Sequence, residues 1–97
     1  MFVVLLEYIK PMEEIEALLP AHRAYLDRHY AAGHFIASGA QIPRTGGVIL
    51  ARPIGRAQLD AILAEDPFHR EAVATYRIVE FTPSKFAPAA ESLFSAS

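Results

Sequence analysis

The chain has 97 residues, 53% of them hydrophobic, no cysteine and a net charge of −2. This length corresponds to one domain, and the lack of cysteine excludes disulfides, thiolate nucleophiles and cysteine metal ligands. The scattered charges form no basic stripe, so we expect no nucleic-acid partner. The apolar start is short, and no cationic segment precedes it. We therefore expect no signal peptide, no membrane span and a cytoplasmic protein.

The first predicted elements are a strand and a long helix. Residues 2–9 (FVVLLEYI) form a mostly apolar run, which favours a strand covered on both faces. Residues 12–32 carry apolar and aromatic side chains at three-to-four spacing, which predicts a helix. Because Pro20 lacks a backbone donor, we expect a short first turn and then a main helix with Pro20 near its start. Gly33 is expected to end that helix.

The opposite face of this helix is charged. Arg23 and Asp27 lie four residues apart on it and are expected to form an ion pair on the solvent side.

Three more strands and a second helix are predicted further along the chain. In order, these are a strand at 34–41, a strand at 47–52, a helix at 56–64 and a strand at 73–82. The turn residues between the second and third strands predict a hairpin. Asp66 and Pro67 suit the N-cap and first position of a short extra helix. We expect residues 1–83 to form the domain and residues 84–97 to form a tail that docks on a partner subunit.

The order β-α-β-β-α-β predicts the ferredoxin-like α+β fold, with one four-stranded antiparallel sheet and both helices on one face. The other face of the sheet then needs a cover. The high apolar fraction of so small a chain predicts that a second copy supplies it, sheet against sheet, in a homodimer.

The chain also resembles the YciI-like (YCII-related) family over about residues 1–83. The matching pieces are FVVLLEY, His22, AGHF, ASG, GGVI, DPF and the closing YRIVEFTP, in this order and spacing. The resemblance implies a ferredoxin-like fold, dimers of the α+β barrel type and a histidine/aspartate site at His22 and Asp66. One relative resembles a dehydrochlorinase acting on a chlorinated hydroxyhydroquinone.

His22 and Asp66 each have a functional and a structural interpretation. The imidazole of His22 lies on the inward helical face, where it is either a general acid/base or a buried histidine bonded to backbone. The carboxylate of Asp66 either orients His22 and stabilises its charged form or caps a helix. Both roles of Asp66 are compatible, since a cap uses one oxygen and leaves the other.

Five further residues are candidates for substrate binding. The hydroxyl of Ser38 is suited to a substrate oxygen, and Gly39 allows close approach to the backbone, although both also fit a strand end. The guanidinium of Arg44 is suited to a carboxylate or phenolate, or is simply solvated. Gly46 and Gly47 offer backbone N–H groups to an anion, or form a tight turn.

The remaining histidines favour no metal site. His22 and His29 are seven residues apart, about 10 Å along a helix, which is too far to share one ion. We therefore expect neither a metal nor another cofactor. His69 is the substitute partner for Asp66 if His22 proves inert. Tyr8 and Tyr25 either line an aromatic-binding pocket or pack in the core.

These residues predict a cofactor-independent lyase or isomerase, dehydrochlorinase-like, acting by proton transfer on a small oxygenated substrate such as a hydroxylated ring. The alternative is a non-catalytic ligand-binding or regulatory dimer module. A third interpretation, an assembly domain, predicts no pocket beside His22.

Overall fold

The computed structural model describes residues 1–94, which form four strands and four α-helices. In chain order these are β1 (Phe2–Tyr8), α1 (Met12–Ala31), β2 (Phe35–Ala40), β3 (Gly46–Ala51), α2 (Arg56–Ala64), α3 (Pro67–Arg70), β4 (Ala74–Glu80) and α4 (Glu91–Phe94). The predicted ferredoxin-like α+β order is confirmed. The short α3 is added between α2 and β4, as its N-cap residues predicted.

The sheet has the order β2-β3-β1-β4, and all its pairs are antiparallel. Phe2, Val4 and Leu6 of β1 are almost fully buried in one core with side chains from both long helices. Both helices therefore cover the same face of the sheet. On the other face Val3 and Leu5 are half-buried, so the expected cover on both faces is only partial within one chain.

α1 is one continuous helix, and the expected break near Pro20 is wrong. Pro20 cannot donate to the carbonyl of Glu16, but both residues are exposed, so water can satisfy that oxygen. Gly33 follows the helix with φ at 79°, a left-handed conformation that favours glycine. Its predicted role at the helix end is confirmed.

The hairpin of β2 and β3 is tied closely to β1. A Cβ at Gly46 would collide with the carbonyl oxygen of Leu6, so only glycine fits this position of β3. The side-chain Nε2 of Gln41 donates to the backbone carbonyl oxygens of Leu6 and Gly47, each at 3.2 Å. These contacts fix the end of the hairpin beside the first strand.

Beyond the sheet, the segment predicted as a tail contains a 3₁₀ turn, Pro88–Ala90, and the short α4. The guanidinium of Arg52 donates to the carbonyl oxygen of Ser92 at 3.3 Å, which ties this segment to the domain. Residues 95–97 of the predicted tail lie outside the described residues, and its docking on a partner stays a prediction. In the described part of the chain, no helix combines the length and hydropathy needed to cross a membrane.

Candidate active site

The fold brings His22 and Asp66 into direct contact within one chain. His22 lies in the middle of α1, and Asp66 is the N-cap residue of α3. The Nδ1 atom of His22 is 2.8 Å from the Oδ1 atom of Asp66. The side chain of His22 is 12% exposed and that of Asp66 is fully buried. The two residues, 44 positions apart in sequence, thus meet at the edge of the core.

Asp66 accepts hydrogen bonds from three groups. Its Oδ1 accepts from His22 and from the backbone N–H of Phe68 at 3.0 Å, and its Oδ2 accepts from the hydroxyl of Tyr76 at 2.6 Å. The cap and the histidine contact therefore share one oxygen, whereas we had expected them to use different ones. Such a set of donors suits an ionised carboxylate that is buried.

Tyr76 is the site residue that sequence reasoning missed. It lies on β4, on the same side of the strand as the buried Ala74, and alternation along this strand is the signal that could have found it. Burial, together with the neighbouring Asp66 carboxylate, raises the pKa of Tyr76 far above its ordinary value. Tyr76 therefore remains a hydroxyl donor to Asp66 at neutral pH.

The contact with Asp66 also sets the tautomer of His22. Because the carboxylate only accepts, Nδ1 of His22 carries the hydrogen, and Nε2 makes no hydrogen bond to any of residues 1–94. The imidazole stacks on the ring of Phe68, with centroids 4.0 Å apart and planes 7° apart. Its free nitrogen is thus available to a bound molecule, and its plane is held by packing.

His22 lines a cavity of about 450 Å³ between α1 and the hairpin. Much of the wall is apolar, formed by Leu6, Tyr8, Leu19, Leu26, Val48, Ile49 and Phe68. The polar side chains of the wall are His22, Arg23, Ser38 and Arg44. A cavity of this size and mixture suits a small, partly apolar ligand. Its presence contradicts the assembly-domain interpretation, which predicted no pocket here.

The structure brings most of the predicted binding residues to this cavity. Ser38, Gly39, Arg44 and Gly47 line it, and Tyr8 lies in its wall. The hydroxyl of Ser38 accepts from that of Tyr30 at 2.6 Å, which leaves the hydrogen of Ser38 for a ligand.

Two predicted residues lie elsewhere. Gly46 is not in the cavity wall, and its close contact with Leu6 explains the need for glycine there. Tyr25 packs in the core, where its hydroxyl donates to the carbonyl of Ile62 at 2.9 Å.

Arg23 points to the cavity instead of forming the expected ion pair. Within residues 1–94 it makes no ion pair with Asp27. Leu19, His22, Arg23 and Leu26 all line the cavity and follow the spacing i, i+3, i+4, i+7 along α1. Helix geometry therefore places Arg23 at the rim of the cavity, where its side chain is exposed to solvent as expected, and only the predicted ion pair with Asp27 is wrong.

A second histidine cluster lies at the C-terminal end of α1. Nε2 of His29 is 3.0 Å from Oε1 of Glu65, and its Nδ1 is 3.0 Å from Nδ1 of His34. The ring of His69, the substitute partner for Asp66, lies instead 5.4 Å from that of Tyr76. In the described range, no group of three or more histidine or acidic residues is arranged to hold a metal ion.

Comparison with known proteins agrees with this architecture. The profile of the YCII-related domain family matches residues 1–82. A search of curated proteins finds no significant match. Among solved structures, the chain is similar to 5-chloro-2-hydroxyhydroquinone dehydrochlorinase (TftG) from Burkholderia phenoliruptrix, in complex with 2,5-dihydroxybenzoquinone. The TM-score is 0.69 at 15% identity, covering 84% of this chain and 93% of that one. At this identity the likeness shows the fold alone.

Proposed function

The chain belongs to the YCII-related domain family, and from this premise we propose that it is a cofactor-independent lyase or isomerase that moves a proton with His22 and Asp66. The observation that carries the proposal is the 2.8 Å contact between them, with the other nitrogen of His22 free beside a cavity. The similar dehydrochlorinase supports a hydroxylated ring as the class of substrate.

In the proposed reaction His22 is the base. Its Nε2 takes a proton from a carbon next to a carbonyl, and the buried Asp66 stabilises the imidazolium that forms. The electron pair left on carbon moves to the substrate oxygen, where the Ser38 hydroxyl donates a hydrogen bond to the negative charge and the positive charge of Arg44 in the same wall adds to its stabilisation. Gly39 and Gly47 allow the substrate to approach the backbone closely.

The second half of the reaction decides its class. When the oxyanion collapses, the electron pair either expels a halide, which completes an elimination, or accepts the proton from His22 at another carbon, which completes an isomerisation. In the isomerisation the substrate takes the proton back from His22, and in the elimination the imidazolium releases it to water after the halide has left, so that HX is lost overall. His22 is neutral again in both cases and needs no cofactor to turn over.

The proposal includes a homodimer in the cytoplasm. Val3 and Leu5 are half-buried on the sheet face away from the helices, and Val79 on the same face is 41% exposed. A second sheet packed on this apolar face would remove it from water. The absence of cysteine supports a reducing compartment.

The test is the substitution His22→Gln, assayed on 5-chloro-2-hydroxyhydroquinone and then on other hydroxylated aromatics and lactones. We expect kcat to fall about 10²- to 10⁴-fold, because the proton acceptor is lost. His29→Gln is the matched control, since His29 lies on the same helix but outside the cavity wall. An unchanged kcat/KM in a folded His22→Gln protein would contradict the proposal.

The same cavity supports a second candidate, a non-catalytic ligand-binding or regulatory module. This candidate predicts no dependence of affinity on the protonation state of His22, so that the affinity for 2,5-dihydroxybenzoquinone varies with pH in the same way in the native chain and in His22→Gln from about pH 5 to pH 8. Calorimetric titration over this range separates the two candidates. Affinity that changes with pH in the native chain but not in His22→Gln favours the enzyme.

A further inference from the structure

The formally charged side chains that line the cavity are both positive. Arg23 and Arg44 lie in its wall, and none of the lining residues is acidic. Asp66 is fully buried behind His22, where three donors already engage it. The chain as a whole has a net charge of −2, so this local excess of positive charge runs against the overall balance. A cavity with these walls attracts an anion.

Both guanidiniums are free to bind a ligand. Arg23 is exposed and makes no ion pair with any of residues 1–94. Arg44 is 43% exposed, and its Nη1 is 4.0 Å from Oε1 of Glu16, which is beyond hydrogen-bonding distance. Glu16 is itself 59% exposed, so water screens this pair.

The rest of the wall defines the body of the ligand. Leu19 and Leu26 continue the stripe of α1 on either side of His22 and Arg23, and Phe68 lies under the imidazole. A ligand that fits these surfaces is apolar over most of its area. Each of the two guanidiniums in the wall is a planar donor of the kind that suits a carboxylate.

We propose that the substrate is an organic acid, with an apolar or aromatic body against the leucines and a carboxylate held by Arg23 and Arg44. This inference rests on the proposed function, because it concerns the same cavity, and it adds the substrate class. A carboxylate held by the two arginines orients the body in front of Nε2 of His22. Arg23 is therefore a specificity-determining residue for that reaction.

Two probes that differ only in a carboxylate test the proposal: hydroquinone and 2,5-dihydroxybenzoate. Binding is measured by calorimetry at about pH 8, where an ordinary imidazole is uncharged and the carboxylate is ionised. We expect the native chain to bind 2,5-dihydroxybenzoate about tenfold more tightly than hydroquinone. In the double variant Arg23→Gln/Arg44→Gln we expect this advantage to fall to about twofold or less.

The matched control is Arg56→Gln/Arg70→Gln, which removes two positive charges from residues outside the cavity wall. Arg56 forms an exposed pair with Asp60, so its loss has little effect on the fold. The advantage of the acid is expected to remain about tenfold in this control. An equal loss in both double variants overturns the proposal, because it would show only a general charge effect.

Four other outcomes also decide the matter. An advantage that survives Arg23→Gln/Arg44→Gln overturns the proposal, as does the failure of the native chain to bind the acid at about 10 mM. An advantage that persists in His22→Gln supports it, since both arginines remain. If His22→Gln retains full turnover while the arginine-dependent preference holds, the proton-transfer mechanism fails and the organic-acid site stands.

Discussion

Two histidines of α1 each contact a carboxylate at the junction of α2 and α3, and the two pairs differ sharply in their surroundings. His22 is 2.8 Å from Asp66, and His29 is 3.0 Å from Glu65. The side chain of Asp66 is fully buried, whereas that of Glu65 is 51% exposed. The distances alone would rank the two pairs as nearly equal.

Burial and the second ring nitrogen separate the pairs. Water screens the exposed carboxylate of Glu65, while the buried carboxylate of Asp66 depends on its protein donors. Nε2 of His22 is free beside the cavity, whereas both nitrogens of His29 are engaged, one by Glu65 and one by His34. A histidine–carboxylate contact is therefore a candidate for proton transfer only when one nitrogen still faces a space for substrate.

The largest expected effect is on stability, from Asp66→Ala. This change leaves buried donors of His22, Phe68 and Tyr76 without an acceptor, which we expect to lower the free energy of unfolding by about 3–5 kcal/mol. Glu65→Ala is the matched control and should cost less than about 1 kcal/mol, because the Glu65 carboxylate is 51% exposed and water already screens its contact with the buried His29. Urea denaturation measures both.

Asp66→Asn repeats this test with a substitution that we expect to destabilise the fold less than Asp66→Ala. The amide retains one oxygen acceptor for the three donors, so we expect a loss of about 2 kcal/mol, between the native chain and Asp66→Ala. Equal losses in the Asp66 and Glu65 variants would show that burial does not separate the two pairs.

The sequence predicts the order of strands and helices better than it predicts the contacts between side chains. Alternating strands, breakers and the cap at Asp66 determine the β-α-β-β-α-β order locally, so the fold follows from the pattern. The meeting of His22 with Asp66 depends on packing between α1 and the start of α3, which no local pattern records. That pairing came from the family resemblance and not from spacing.

The errors have the same physical origin. Pro20 is a strong local breaker, yet the helix continues through it because the lost hydrogen bond lies on an exposed face. The sequence around Tyr76 indicates only which side of the strand it lies on, and no neighbouring residue indicates that its hydroxyl meets the Asp66 carboxylate. Arg23 fits both a surface pair and the cavity stripe, and the tertiary position of the hairpin decides between them.

A moderate effect is expected at high pH. Burial comes first among the causes that raise the pKa of Tyr76 and of Tyr25, and the Asp66 carboxylate comes next. An unfolded tyrosine loses its proton near pH 10, so stability is complete below about pH 10 and falls as the pH rises above it. Each tyrosine that stays protonated in the fold contributes about 1.4 kcal/mol per pH unit to this fall.

Tyr76→Phe separates the hydroxyl from the ring. We expect it to lower the free energy of unfolding by about 1–2 kcal/mol at pH 8, since the Oδ2 atom of Asp66 loses its donor. Above about pH 10 it should also remove one tyrosine's share of the alkaline slope. Tyr25→Phe is the positive control for the slope: its hydroxyl bonds to a backbone carbonyl and not to Asp66, and the variant should remove the share of the slope that belongs to Tyr25. An alkaline slope unchanged by Tyr76→Phe would mean that Tyr76 ionises within the folded chain.

The smallest expected effect is the coupling between His29 and Glu65. A double-mutant cycle with His29→Gln and Glu65→Gln, at about pH 5.5 where an ordinary imidazole is charged, should give about 0.5 kcal/mol at low salt. Because Glu65 is 51% exposed, this coupling should approach zero in about 1 M NaCl. The corresponding cycle for His22 and Asp66 should give a larger coupling that changes little with salt, since the carboxylate is fully buried. Equal salt sensitivity in the two cycles would mean that water reaches both carboxylates alike. Burial of the partner carboxylate would then no longer distinguish His22 from His29.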